Sequence, residues 1–291
     1  MPAGREVAHL PTGHSESALF LPGETSLITS GRNGLQLWPI QRDQARRGDT
    51  SLGPPVLLRA SPKSASYRVA LSQDGKKIAY LDHRNQQTQT FVMDSKTPEN
   101  QVELNCAPRQ QNIALSPTGR WAAGGNWRFT EGARVWDLTS STTAPVWQLR
   151  NAAPGSCGVA FSPDGKWLVT SEQDKYRFWQ VGSWTPGLMI PRDRLEPGPG
   201  PLAFSRDSRM LAIARSAWTV QLLELIEPAK AREIATLSAP DPQIINSLCF
   251  SPDAGQLAVA TNNHTIQLWD LRLIRRQLEE MNLDWDVLMS R

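Results

Sequence analysis

Residues 161–179 read Phe161-Ser-Pro-Asp-Gly165, Lys166-Trp-Leu-Val-Thr-Ser171, Glu172-Gln-Asp-Lys175 and Tyr176-Arg-Phe-Trp179. Pro presets φ and Gly accepts positive φ, so Pro-Asp-Gly is a strong turn signal between two strands. The apolar Gly158–Phe161 forms the first strand, and Lys166–Ser171, with its β-branched interior, forms the second. Glu172–Lys175 turns the chain again. Tyr176–Trp179 alternates polar with apolar, the period-2 pattern of a strand packed on one face. A further short strand, of the kind Ala144-Pro-Val-Trp-Gln-Leu149 provides, leads into the next cycle.

The same phrase recurs along the chain. It stands as Leu71-Ser-Gln-Asp-Gly75, Leu115-Ser-Pro-Thr-Gly119, Phe204-Ser-Arg-Asp-Ser208 and Phe250-Ser-Pro-Asp253, with Phe20-Leu-Pro-Gly-Glu24 the most divergent copy. Successive copies are spaced by 51, 44, 46, 43 and 46 residues. A second phrase follows each copy, ending at Trp38, Phe91, Trp136, Trp179, Leu223 and Trp269. Two independent phrases on one beat through six cycles establish a repeat protein. Four strands in about 44 residues make one blade of a β-propeller.

The stretch NNHTIQLWDLR, ending Trp269-Asp270-Leu-Arg272, and the tripeptide Trp136-Asp137-Leu138 resemble WD40 repeats, whose name comes from that Trp-Asp dipeptide. The resemblance runs from about Arg5 to Leu271 and implies an all-β propeller of four-stranded blades. Trp38, Trp136, Asp137, Trp179, Trp269 and Asp270 are then its structural signature. Only Gly13-His14 matches the Gly-His pair of that family, so most blades must hold together by packing of Trp, Phe and Leu. The family hosts many unrelated roles, so the resemblance fixes fold more firmly than function.

Gly4-Arg-Glu-Val-Ala-His-Leu10 is similar to Ala231-Arg-Glu-Ile-Ala-Thr-Leu237, which sits where an outermost strand belongs. The expectation is six blades, with residues 1–12 supplying the outer strand that the sixth lacks. Pairing the two ends in one sheet would remove an open edge. The alternative is a seven-bladed or longer array that has lost its earlier blades. The propeller is assigned to residues 1–271 and an amphipathic helix and tail to 272–291. Leu271, Ile274, Leu278 and Met281 form one helical stripe. The ending Leu283-Asp-Trp-Asp286 resembles that of large bacterial WD40 proteins in which a serine/threonine kinase domain often precedes the array. That implies a larger signalling parent.

Composition narrows the function classes. The 291 residues carry a net charge of +3, far from the dense basic stripe of a nucleic-acid binder. The N-terminus has no signal-peptide core, and no run of 18 apolar residues occurs, so a cytoplasmic protein is expected. Cys106, Cys157 and Cys249 lack CxxC spacing and are expected to be buried free thiols. The sequence contains no dinucleotide or phosphate-loop motif, no HExxH and no nucleophile elbow. The histidines His9, His14, His83 and His264 fall in different cycles without ligand spacing, so no metal or cofactor is implied. Asp164 and Asp253 belong to turns, bonding their own backbone. Propeller hydrolases and lactonases bring metal-binding carboxylates to the axis; no such set can be assembled, and that reading stands second.

A non-catalytic, monomeric protein-interaction scaffold is the leading reading. The turns between second and third strands share one face with the connections between blades. They place Arg32, Arg84, Trp127, Arg128, Lys175 and Trp218 there, with Arg192 on a connection. Tryptophans among arginines are the composition of interface hot spots, and an acidic protein segment is the expected ligand. The Pro-Asp-Gly turns emerge on the opposite face.

Overall fold

The computed structural model describes residues 9–12, 15–31, 33–43, 49–60, 68–84, 87–106, 109–126, 132–150, 155–193, 198–227, 230–239 and 242–280. Its fold class is all-β: six antiparallel sheets, the blades of a β-propeller, followed by one short helix. Strands β1 (Ser15–Phe20), β2 (Ser26–Gly31), β3 (Gly34–Asp43), β4 (Asp49–Leu52) and β5 (Val56–Arg59) make the first sheet. Strands β6 (Val69–Leu71), β7 (Lys77–Arg84), β8 (Gln87–Asp94) and β9 (Gln101–Leu104) make the second. The third holds β10 (Gln110–Leu115), β11 (Trp121–Asn126), β12 (Ala133–Asp137) and β13 (Trp147–Leu149).

The fourth sheet contains β14 (Gly158–Phe161), β15 (Trp167–Ser171), β16 (Lys175–Gln180) and β17 (Pro186–Pro191). The fifth contains β18 (Leu202–Phe204), β19 (Met210–Ala214), β20 (Thr219–Glu227) and β21 (Lys230–Ser238). The sixth has β22 (Ile245–Phe250), β23 (Gln256–Thr261) and β24 (Ile266–Asp270), three strands among the described residues. Residues 1–8, on which closure by the N-terminal strand rests, lie outside the described residues, and residues 9–12 are in no strand. Helix α1 (Leu271–Glu280) begins one residue before the boundary read from the sequence.

The chain divides into two compact units, residues 1–126 with 134–148 and residues 127–133 with 149–291. In the first, Ile28 and Leu35 of one sheet pack on Ile78, Tyr80, Phe91 and Met93 of the next, with Tyr80 and Phe91 stacked at 5.2 Å. A second core in that unit joins Ala79, Val92 and Leu104 to Leu115, Ala122 and Trp136. In the second unit, Val169, Tyr176, Phe178 and Ile190 meet Leu211, Ile213 and Leu223. Met210, Val220 and Leu222 meet Ile245, Leu248, Leu257, Val259 and Leu271. Strand alternation sends every second side chain into such an interface, so the period-2 pattern of the sequence becomes sheet-on-sheet packing.

The first turn of the second to sixth blades is built by its own side chains. Ser72, Ser162, Ser205 and Ser251 each donate Oγ–H to the Asp two residues on, at 2.6–2.7 Å. Those serines and Ser116 accept the amide five residues on, at 2.8–2.9 Å. The Asp Oδ1 accepts a backbone amide two residues further, so Asp164 and Asp253 are turn residues as expected. Adjacent turns are also tied together: Asp164 N donates to Ser208 Oγ at 2.8 Å, and Gln73 N to Pro117 O at 3.0 Å. At Gly75, φ is +69° and a Cβ would stand 2.7 Å from Pro22 Cδ of the neighbouring turn, so glycine is required twice over.

Pairing corrects one alignment. Trp38, Trp136, Trp179 and Trp269 face Leu27, Ala122, Leu168 and Leu257, each the second residue of its strand. The residue so placed in the second sheet is Met93, opposite Ile78, and not Phe91. Of the three cysteines, Cys157 is buried, Cys106 half-buried and Cys249 exposed, so the expectation of buried thiols holds for Cys157.

Candidate functional site

In the second unit, the ends of β15 and β19 opposite the Ser-x-Asp turns carry the residues singled out for binding that the structure describes. Glu172, Gln173 and Asp174 connect β15 to β16, and the Glu172 amide donates to Lys175 O at 2.8 Å. This short closure turns the Glu172 carboxylate inward, where it is buried and its pKa is pushed up by burial, against the pull of Lys175 and Arg177. The Lys175 ammonium sits 3.4 Å from Glu172 and 3.1 Å from Asp174. Arg177 lies 3.8 Å from Glu172, with its guanidinium over the Trp179 ring. Lys175 is therefore a half-buried, shared cation rather than an open one.

Arg192 is buried too. Its guanidinium lies 3.0 Å from Gly198 O and 3.4 Å from Gln173 O, and its amide donates to Asp174 O. Ser171 Oγ donates to Gly200 O at 2.6 Å, and the Tyr176 hydroxyl donates to Ala214 O at 2.9 Å. Burial raises the Tyr176 pKa well above the phenol range, keeping it a neutral donor. A Cβ on Gly200 would overlap the Tyr176 hydroxyl and crowd Arg192 Nε. These groups pin the connection between the fourth and fifth sheets onto β16. Their chemistry is consumed in holding backbone.

Trp218 is different. It sits in the Arg215–Trp218 connection between β19 and β20, where Ser216 and Ala217 are buried but Trp218 is 45% exposed. Arg215, in the same turn, donates to Pro191 O at the end of β17. The backbone around Trp218 is held: Arg215 N and Ser216 N both donate to Thr219 O, and Ile245 N donates to Ala217 O. The indole is thus displayed on a fixed turn.

Of the other expected contact residues, Arg32, Trp127 and Arg128 lie outside the described residues, and Arg84 ends β7 with its side chain likewise outside them. Sequence reasoning missed the role of Glu172, because a buried carboxylate in a four-residue turn looks identical in sequence to a solvated one. Among the described residues no group of three or more His, Cys, Asp or Glu could hold a metal ion. No described helix is long and apolar enough to cross a membrane.

Residues 143–179 and 231–270 match the family model described as WD domain, G-beta repeat. Those two repeats are of the WD40 type. Each begins around an outer strand, β13 or β21, and ends with the third strand of the next sheet, β16 or β24. The repeat in the sequence is therefore offset by one strand from the sheet in space. The chain is also 28% identical over 174 residues to "Centriole proteome protein 16" of Chlamydomonas reinhardtii, which covers 57% of this chain. It spans only 8% of that relative's length.

Proposed function

We propose that this WD40-type chain is a non-catalytic protein-interaction scaffold, working as a recruiting module within a larger signalling protein. The observation that carries the reading is Trp218, a large aromatic side chain left 45% exposed on a turn whose other residues are fastened. Rigid aromatic rings bury much area at little cost in rotamer entropy. The coverage of only 8% of the Chlamydomonas relative supports a modular role, and that relative's name places it in a centriole proteome. The bacterial kinase-linked architecture is the parent that the C-terminal resemblance favours. We take the chain to act as a monomer in the cytoplasm, without cofactor or metal.

The ligand of this reading is an acidic segment of another protein, with Arg215 next to Trp218 as its counter-charge. Lys175 contributes less, since Glu172 and Asp174 already share its ammonium. The test is capture from native lysate with Trp218→Ala, against Lys166→Ala/Arg209→Ala in the Ser-x-Asp turns. Partners lost with Trp218→Ala and kept by the control support the reading. Partners lost only by the control would move the binding surface to the other turns. Metal-dependent turnover of a lactone, phosphate or peptide, abolished by one substitution, would replace a scaffold with an enzyme.

A further inference from the structure

A groove in the first unit lies between the outer half of the second sheet and the loop that follows β12. Its volume is about 230 Å³. Its floor is apolar, made by Val92, Val102, Leu104 and Leu138. Its far wall is the run Ser140–Thr143, whose residues are all exposed. Leu104 is buried, whereas Val102 is 52% exposed on the groove's rim.

Among the described residues β9 is the outermost strand of its sheet and pairs only with β8, so one row of its main-chain groups has no described strand beside it. Immediately past its end the edge already takes a main-chain partner, because Asn105 N donates to Thr143 O at 2.8 Å. The hydroxyl wall and this open edge both suit an extended backbone, which needs acceptors and donors along its length.

Charge selects among extended segments. Asp94, Asp137 and Lys77 line the groove. Asp137 is already satisfied by Arg120 at 3.0 Å and by Thr139 at 2.6 Å. Asp94 accepts only the Lys96 amide, at 2.9 Å, and has no ion pair among the described residues. The Lys77 side chain lies along the neighbouring turn, its Cδ 3.3 Å from where a Cβ of Gly119 would be. The carboxylate left for a partner is Asp94, so the complementary charge is a cation.

We infer that this groove docks an extended segment of another protein in which apolar and basic residues alternate, added as a strand on β9. An apolar side chain fills the floor beside Val102, and a Lys or Arg reaches Asp94. This site is independent of Trp218 and takes a ligand of opposite charge.

The experiment titrates the intact chain with the blocked hexapeptide acetyl-Lys-Val-Lys-Val-Lys-Val-amide and with its Glu-Val counterpart, following backbone amide shifts and heats of binding. The Lys peptide is expected to bind, shifting residues 101–105 and 138–143, and the Glu peptide is not. Asp94→Asn keeps the bond to the Lys96 amide and removes only the charge. It and the surface change Val102→Ser should each weaken binding by about tenfold, while Trp218→Ala should leave it intact. No binding at millimolar peptide overturns the inference, as does equal binding of both peptides or indifference to Asp94→Asn. Self-association of the chain that Val102→Ser abolishes would make the occupant a second copy and equally overturn it.

Discussion

Trp179 Nε1 donates to Thr170 Oγ1 at 2.9 Å, and Trp38 Nε1 to Thr29 Oγ1 at 2.8 Å, all four residues buried. In the third sheet the corresponding position is Gly124, its space is filled by the Gln110 amide, and Trp136 Nε1 is buried with no acceptor among the described residues. In the sixth, Trp269 finds Gln267 at 3.1 Å instead. One repeat position is thus satisfied in two ways over three sheets and left open in a fourth. Thr170→Val keeps the shape and removes the acceptor, so it should cost about 1–3 kcal/mol in urea unfolding. A loss under about 0.5 kcal/mol would mean that the Trp179 bond adds nothing beyond packing. A second repeat position carries strain. The fourth residue of the first turn is left-handed in every blade: Gly75, Gly119 and Gly165, but also Glu24 (φ 53°), Ser208 (φ 61°) and Ala254 (φ 55°). A side chain there costs about 1–2 kcal/mol, offset in part by the extra freedom glycine has when unfolded. Exposed Glu24→Gly should therefore stabilise by about 0.5–1 kcal/mol. Ser208→Gly should gain less, because it also removes the acceptor of the Asp164 amide. Equal gains for the two would show that this cross-turn bond is inert.

The two Asp residues of the Trp-Asp signature do different work in their elements. Asp137 closes a turn after β12 and takes Arg120. Asp270 ends β24 and caps α1, its Oδ1 accepting the Leu273 amide at 3.0 Å. Beyond the cap, Leu271 is buried and Ile274 packs on the core of the fifth and sixth sheets, so the helix seals that end of the core. Asp270→Ala should lower stability by about 1 kcal/mol, and Asp270→Ser should restore most of it; failure of the serine rescue would mean the loss lies outside the cap. The strands were legible in the sequence because Ser-Pro-Asp-Gly fixes a turn by local chemistry, and the strands on either side inherit their register from it. Met93 was misplaced because β8 is apolar at Phe91, Val92 and Met93 alike, and only pairing with Ile78 decides which residue holds the Trp position. The inward placing of Leu271 and Ile274 on α1 was legible for a similar reason, helical spacing being local, while Met281 of the expected stripe lies outside the described residues. Lys175 looked like an open cation because its partners, Glu172 and Asp174, read as solvated turn residues until the short closure of β15 onto β16 folds them together.

At the scale of the whole molecule, four carboxylates among the described residues fall into two groups with opposite effects on acid stability. Asp74, Asp137 and Asp253 are held below the ordinary value of 3.8, chiefly by Ser72, Arg120 and Ser251, with Asp253 lowered to about 2. Their folded form binds protons more weakly than the unfolded chain, so their stabilisation is complete above pH 3.8 and disappears as pH falls through the folded values. Glu172 is raised from 4.5 by burial, so its folded form binds protons more tightly. Its contribution is fully present below pH 4.5 and is lost as pH rises through the folded value. The two groups therefore act in separate windows, and one substitution can isolate one of them. Glu172→Gln removes the buried titration and leaves Lys175 with Asp174, so urea midpoints measured upward from pH 4.5 should fall with rising pH in the parent and run flatter in the variant. Below pH 3.8 both proteins should lose stability alike, because the Ser-x-Asp turns are unchanged. An identical slope above pH 4.5 in parent and variant would mean that Glu172 is not buried against its partners in solution. The Glu172–Lys175 turn would then lack the ion pair that closes it.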